Sequence, residues 1–378
     1  MLKKLSQIIA IKSMSSRAGG DGEGKRADFL EELLKGWGLK PKRYDYKDNR
    51  NVKRSNIVVK HGDKKRTLWI LAHIDTVAVG DINLWETDPF KAVVKDGKIY
   101  GRGTQDNGQG VICGLYALKA LLKRKALKYN YGLVLAADEE TGSVYGIQKL
   151  LKEGIFGKGD MFLVPDSGNP EGSHIEIAEK SILWLKFTVT GKQVHASIPN
   201  RGINAFMEGA KLGLALCDFL EKKYNNKQPP FESKSTFVMT MHEKNIDSIN
   251  IIPGKEVFYM DCRVLPQYSL SGIMDDIRSI SGKCKAKVAI EIVQREAAPK
   301  PTSANAEVVR LLKGTLKAEL GINARLIGIG GGTIAAYLRK AGYDAVVWGI
   351  EEDVAHKPNE YAKIANIEKM IKVFTSLF

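Results

Sequence analysis

Short apolar runs and longer amphipathic stretches alternate along most of the chain. Leu2, Leu5, Ile8 and Ile9 carry helical spacing, and a second helix is predicted over about 25–37, stopped by Gly38. The loop SSRAGGDGEG lies between them. Strands are expected over 55–60 and 67–73, a hairpin around Asp96-Gly97, and a helix over about 108–122. YGLVLAADEETGS and MFLVPDSG read as further apolar strands, with a helix to about Leu151 between them. Continuous apolar strands alternating with helices predict an α/β fold whose parallel sheet is buried on both faces.

The period then changes. HIEIAEKSILWLKFTVTGK alternates strictly, as antiparallel strands with one exposed face do. A helix over about 204–224, strands over 235–242 and 256–265, a helix over 271–281 and a strand over 285–293 complete a β-β-α-β-β-α-β run. That order predicts a small α+β, ferredoxin-like unit. A helix over about 305–320, a strand over 324–327, the GIGGGT loop, a helix to Lys340, a strand over 345–348 and a last helix from about Tyr361 return to the α/β pattern. The expected organisation is one α/β domain over 1–177 and 298–378, interrupted by an inserted α+β domain over 178–297.

Composition adds little to the fold and something to the partners. A chain of 378 residues with 44% hydrophobic and 27% charged content can bury a sizeable core. Lys plus Arg number 58 against 43 acids, a formal charge of +15. The stretch from Lys40 to Arg66 alone holds eleven basic and three acidic residues. No aromatic-basic stacking pattern, zinc-finger spacing or RNA-binding signature accompanies it, so nucleic acid is not an expected partner. Cys113, Cys217, Cys262 and Cys284 are far apart and form no CxxC pair, which reads as free thiols in a reducing compartment. No apolar run approaches the about 18–20 residues of a membrane span, and the N-terminus lacks a cleavable signal pattern. A cytoplasmic protein is expected.

The chemistry sits where the apolar strands end. LWILAHIDTV closes in His73 and Asp75, groups that are costly to bury unless paired. Asp106 precedes a helix; Asp138, Glu139 and Glu140 follow the next strand, Asp166 the third, and His356 follows the last. Ligands of open α/β sheets bind at the carboxyl ends of the strands. So many acids converging on one edge require cations to neutralise them. Mixed imidazole and carboxylate donors suit zinc, with cobalt or manganese possible.

AHIDTV, GRGTQDNGQG, ADEETGS, VPDSG and AHKPNEY, in that order, resemble the motif series of the co-catalytic dizinc amidohydrolases and exopeptidases. That family includes succinyl-diaminopimelate desuccinylase, acetylornithine deacetylase, carboxypeptidase G and aminoacylase. The resemblance implies a zinc-exopeptidase-like catalytic domain carrying a lid, or dimerisation, domain. It implies two metals, with Asp106 bridging, His73 and Asp166 on one, and Glu140 and His356 on the other. It makes Glu139 the general base and Asp75 the carboxylate that orients the His73 ring. GKQVHAS matches at His195, a donor to the tetrahedral oxygen often supplied by the other subunit of a homodimer. NIIPGKEVFYMDCRVLP matches at Asn250 and Arg263 as substrate contacts, and GIGGGT at Gly331, Gly332 and Thr333. His61, His174 and His242 match no motif and read as surface or lid histidines.

The implied activity is hydrolysis of the amide bond of an N-acyl amino acid, of desuccinylase or deacetylase type. Exopeptidase action on small peptides is the alternative within the class. A non-catalytic scaffold binding acidic partners is the alternative outside it, and the intact Glu139 argues against that.

Overall fold

The computed structural model describes residues 1–15 and 19–378, so the loop expected between the first two helices lies partly outside the described residues. The chain opens with α1 (Leu2–Ala10), α2 (Gly24–Lys35), β1 (Lys42–Lys47), β2 (Lys53–His61), β3 (Thr67–His73), β4 (Val93–Lys95), β5 (Lys98–Tyr100), α3 (Gly110–Leu121), β6 (Asn130–Ala136), α4 (Ile147–Lys152), β7 (Met161–Val164) and β8 (His174–Glu179). There follow β9 (Ser181–Thr190), β10 (Val194–His195), α5 (Ala205–Lys223), β11 (Thr236–His242), β12 (Ile251–Ile252), β13 (Lys255–Val264), α6 (Leu270–Ser281) and β14 (Lys287–Glu296). It closes with α7 (Glu307–Leu320), β15 (Arg325–Ile329), α8 (Ile334–Lys340), β16 (Asp344–Val347), β17 (Tyr361–Lys363) and α9 (Ile364–Ser376). Two compact units result: residues 1–177, 301–326 and 333–378, and residues 178–300 with 327–332.

The first unit is built on a sheet of order β1-β2-β6-β3-β7-β16-β8-β15. Its centre is parallel: β3 pairs with β6 and β7, and β16 with β7. β3, β6 and β7 are buried along their whole length, as their unbroken apolar runs require. Alternate side chains serve two cores. Leu68, Ile70, Leu133 and Leu163 pack with α1, α2, α3, α7 and α9, while Trp69, Leu71, Val134 and Phe162 pack with α4 and α8.

The periphery departs from the expected pattern at three places. β2 runs antiparallel to β6 and β1 antiparallel to β2, and β1 is a polar edge strand, KRYDYK, that apolar periodicity does not reveal. His174–Glu179, expected beside an exposed face, is buried from Ile175 onward and joins the first sheet antiparallel to β16. The last helix begins at Ile364, because Tyr361–Lys363 pairs with β5 in a small sheet β17-β5-β4. The β4–β5 hairpin turns at Asp96 and Gly97, both with positive φ, the geometry Asp-Gly favours.

In the second unit β9-α5-β11-β13-α6-β14 forms an antiparallel sheet of order β11-β13-β9-β14, the ferredoxin-like arrangement. Leu183, Leu185, Phe187 and Val189 of β9 face Leu216 and Leu220 of α5 and Ile273 and Ile277 of α6. The four cysteines are free thiols. No helix among the described residues is long and apolar enough to cross a membrane.

Candidate active site

Parallel strands share one carboxyl edge, so the segments that follow β3, β6, β7 and β16 converge there. Register makes this concrete: His73, the last residue of β3, stands opposite Ala136, the last of β6. The buried His73 ring lies at the centre of the edge. Its Nδ1 is 3.1 Å from the Asp75 carbonyl oxygen and 3.3 Å from Asp75 Oδ1. A carbonyl oxygen only accepts, so Nδ1 carries the proton and Nε2 faces inward. There Nε2 meets Asp106 Oδ1 at 2.8 Å and Asp166 Oδ1 at 3.2 Å.

Asp106 stands between the two histidines. Its Oδ2 is 2.9 Å from His356 Nε2, which also lies 3.3 Å from Glu140 Oε2. Two donor groups follow, His73 with Asp106 and Asp166, and Asp106 with Glu140 and His356; in each the ligand atoms lie within 4.8 Å of one another. Asp106 belongs to both. Glu139 sits beside them on the same turn as Glu140. Asp138 is no part of the cluster: in a left-handed conformation it accepts from the Thr141 hydroxyl and from the Tyr145 amide at 3.0 Å.

The electrostatics are those of a site that wants cations. Burial pushes the Glu139 carboxyl well above its ordinary range, and the charges of Asp166, Glu140 and Asp75 add to it against His73. Burial takes Glu140 up to about 7, partly offset by its hydrogen bond with His356. His356 is pushed up to about 10 by its bonds with Asp106 and then Glu140. Burial would lower His73, but Asp166, Asp106 and Asp75 outweigh it and hold it well above the usual imidazole range. Burial likewise raises Asp106, yet both histidines hold it down. Glu140 Oε1 is buried with no hydrogen-bond partner. Imidazole nitrogens facing carboxylates, with an unpartnered carboxylate oxygen among them, fit divalent metal ions.

The structure also adds to the role of Asp75 and gives roles to Asn107, Glu360 and Arg102, which motif reading left without one. The Asp75 carboxylate, expected to orient His73, spends its best hydrogen bonds elsewhere: Oδ1 accepts from the Glu139 amide at 3.0 Å and Oδ2 from the Glu140 amide at 3.1 Å. It therefore fixes the turn that carries both glutamates. Asn107 donates to the Pro165 carbonyl at 2.7 Å and to Asp166 Oδ1 at 2.6 Å, which sets Asp166. Glu360 is fully buried and accepts from the Gln105 and Asp106 amides at 2.9 and 3.1 Å, from the Gly103 amide at 3.0 Å and from Arg102 at 2.7 Å. Its position inside AHKPNEY, and that of Arg102 inside GRG, was the available signal.

The second unit holds His195, Asn250, Arg263, Gly331 and Gly332. His195 is exposed, and its Nδ1 accepts from the Ser197 amide at 3.1 Å. β10 pairs with β12, and the Asn250 carbonyl accepts from the Ala196 amide at 2.9 Å, so Asn250 flanks His195. The Arg263 fork is partly taken: Nε and Nη2 donate to Asp261 at 2.7 and 3.0 Å, and Nη1 to the Gly330 carbonyl at 3.1 Å. Gly331 and Gly332 are exposed. Thr333, in the first unit, caps α8 by accepting from the Ala335 amide at 3.1 Å. His174, unassigned by motif, accepts from Arg325 at 2.9 Å.

A family model described as Peptidase family M20/M25/M40 matches residues 69–378. The chain belongs to this family. It is a metallohydrolase of amide or peptide bonds and uses divalent metal. An uncharacterized metallohydrolase of Methanococcus maripaludis is 40% identical, covering 98% of this chain and 97% of its own. A succinyl-diaminopimelate desuccinylase of Rickettsia bellii is 25% identical over 98% of this chain and 94% of its own. Among solved structures, an M20 family metallo-carboxypeptidase from Sulfolobus solfataricus has the same fold, with a TM-score of 0.76 at 21% identity over 100% of this chain and 98% of that one.

Proposed function

We propose that this family member is a two-metal amidohydrolase that removes an acyl group, succinyl or acetyl, from the nitrogen of an amino acid. The observation that carries the reading is the pair of donor groups sharing Asp106, with Glu139 beside both. Asp106 would be shared by the two ions, with His73 and Asp166 the further ligands of one and Glu140 and His356 those of the other. Two divalent ions, zinc in our reading, would supply Lewis acidity there, making water more acidic and a carbonyl more electrophilic.

The chain's own residues do the rest. Glu139 takes a proton from the attacking water and returns it to the leaving nitrogen. Its raised affinity for protons suits both halves of that task. Asp75 holds the Glu139–Glu140 turn in place and keeps His73 Nε2 inward. His195 accepts a hydrogen bond at Nδ1, so its Nε2–H is a donor suited to the oxyanion. Asn250, the free part of the Arg263 fork and the Gly331, Gly332 and Thr333 segment bind the substrate. The chain works as a homodimer through its second unit, in the cytoplasm.

Exopeptidase action is the second reading, favoured by the family's own description as peptidases. A substrate panel separates the two. The metal-loaded protein is offered N-succinyl and N-acetyl amino acids beside unblocked dipeptides. Cleavage confined to acylated substrates supports the deacylase; cleavage confined to dipeptides replaces it with the peptidase. Glu139→Gln should keep its metal and lose about 10²–10⁴ of turnover. Loss of metal in that variant would make Glu139 a ligand and remove the base from the scheme.

A further inference from the structure

The segment GRGTQDNGQG carries two buried glutamines to which the chemistry above gives no work, Gln105 and Gln109. Gln105 precedes Asp106, the carboxylate that both donor groups share. Its carboxamide exchanges two hydrogen bonds with the main chain of Glu352, as directly opposed residues of paired strands do. Nε2 donates to the Glu352 carbonyl at 2.7 Å, and Oε1 accepts from the Glu352 amide at 2.9 Å. The amide of Gln105 itself donates to Glu360 Oε1 at 2.9 Å. One residue thus grips the chain on both sides of His356.

His356 depends on that grip. Its backbone is left-handed, with φ 63°, a conformation that a residue with a Cβ keeps only when its surroundings fix it. Its side chain is 55% exposed, so packing does not hold the ring against Asp106 and Glu140. The main chain does. The Val354 amide donates to the Glu352 carbonyl at 2.9 Å, the Lys357 amide to the Val354 carbonyl at 3.2 Å, and Arg102 Nη2 to the His356 carbonyl at 3.4 Å. A displacement of Glu352 is carried along these turns to His356. The other donor group is held independently, since His73 ends β3 within the sheet and Asn107 donates to Asp166 at 2.6 Å. Asp106 also stays fixed without the carboxamide, because the amides of Gly103, Gln105 and Asp106 all donate to Glu360.

Gln109 provides the contrast. Its Nε2 donates to the Ile350 carbonyl at 3.0 Å, but Asn366 Nδ2 donates to the same carbonyl at 3.2 Å. Loss of Gln109 therefore leaves that carbonyl a donor. Loss of the Gln105 carboxamide leaves the Glu352 amide, among the described residues, without an acceptor.

We propose that Gln105 is a positioning residue for one of the two metals. By holding Glu352 it keeps His356 in reach of the ion that Asp106 and Glu140 also face, and it leaves the ion of His73 and Asp166 unaffected. This rests on the two-metal reading and deepens it.

Calorimetric titration of the metal-free protein with Zn2+ tests it, on wild type, Gln105→Met and Gln109→Met. Circular dichroism and thermal unfolding of the same samples check the fold. Wild type should bind two ions in separable steps. Gln105→Met should bind one ion with wild-type affinity and the other about 10- to 100-fold more weakly. Gln109→Met should bind both as wild type does. Two wild-type affinities in Gln105→Met overturn the proposal. Equal weakening of both ions overturns it too, by making Gln105 a support of the whole site. So does the same selective weakening in Gln109→Met, because loss of either glutamine would then suffice. If Gln105→Met does not fold, Gln105→Asn decides by the same criterion, since it keeps a carboxamide and lacks the methylene that reaches Glu352. A wild type that binds a single ion sinks the two-metal reading and this proposal with it. Two ions in wild type with an unchanged Gln105→Met sink this proposal alone.

Discussion

Behind the cluster runs a line of buried charges that begins at Asp75. Arg26 is buried and donates to the Ile74 carbonyl at 3.0 Å, beside Asp75. Burial lowers its pKa to about 10 against the charges of Asp75, Glu23 and Glu360, so it stays a cation. Glu23 accepts from Arg54 at 2.9 Å, and Arg54 reaches Asp48 Oδ2 at 2.8 Å, all three nearly sealed from solvent. Glu23 is nevertheless pushed up to about 7, by burial first and the Asp75 charge second. Arg54 does not cancel this, because it is shared with Asp48 and leaves Glu23 Oε2 without a partner. A carboxyl whose pKa rises on folding favours the folded state most below its ordinary value of 4.5, and that benefit is lost as pH climbs through about 7. Glu23→Gln removes the titration. The stability of wild type relative to Glu23→Gln should fall by about 3 kcal/mol between pH 4.5 and 8, read by urea unfolding at each pH. A pH-independent difference would mean that folding leaves the pKa of Glu23 unchanged.

Pairing of β17 with β5 is what brings the His356 segment to the Asp106 loop. Tyr361 stands opposite Tyr100, which sets Glu360 beside Gly101, and the Gly101 amide donates to the Glu360 carbonyl at 2.9 Å. From there the Glu360 carboxylate gathers the amides of Gly103, Gln105 and Asp106, and Arg102 neutralises it. Breaking a buried ion pair on one side leaves an uncompensated charge, which costs about 3–5 kcal/mol. Arg102→Met should destabilise the protein by that amount and weaken metal binding, since the Asp106 loop loses its anchor. Arg102→Met with Glu360→Gln should recover part of the stability. Denaturant unfolding and chelator competition measure the two effects. Wild-type stability in the single variant would show that the amides alone hold Glu360.

Across the whole molecule the second unit keeps an apolar surface that its own core does not use. Among the described residues β11 is an edge strand, paired only with β13, and Met241 on it is 55% exposed. Leu214 on α5 is 69% exposed, and Phe206, Met207 and Phe219 on the same helix are exposed as well. Unpaired strand edges and contiguous apolar faces are the material of subunit contacts. The proposed homodimer uses this face. Wild type should sediment as a dimer at micromolar concentration, and Leu214→Glu with Met241→Lys as a folded monomer. A wild-type monomer would exclude this contact.

Several features were legible because they are local. Unbroken apolar runs gave β3, β6 and β7, strict alternation gave β9, Asp-Gly gave the β4–β5 turn, and the polar groups at the strand ends marked the site. Each follows from a side-chain period or a backbone preference that neighbours in sequence carry by themselves. β1, β17 and the sheet that β8 joins escaped for the opposite reason: a polar edge strand, a three-residue strand and a strand's choice of sheet are defined by partners far along the chain. The same holds at the site. Residue type and spacing singled out His73, Asp106, Glu139, Glu140, Asp166 and His356 as donors. Only the fold decided that Asp106 stands between the two histidines, that Asp75 holds the glutamate turn, and that Asp261 claims part of Arg263. Those facts depend on which loops parallel strands bring to one edge, and strand order is fixed by the burial of the whole sheet, not by any stretch of it.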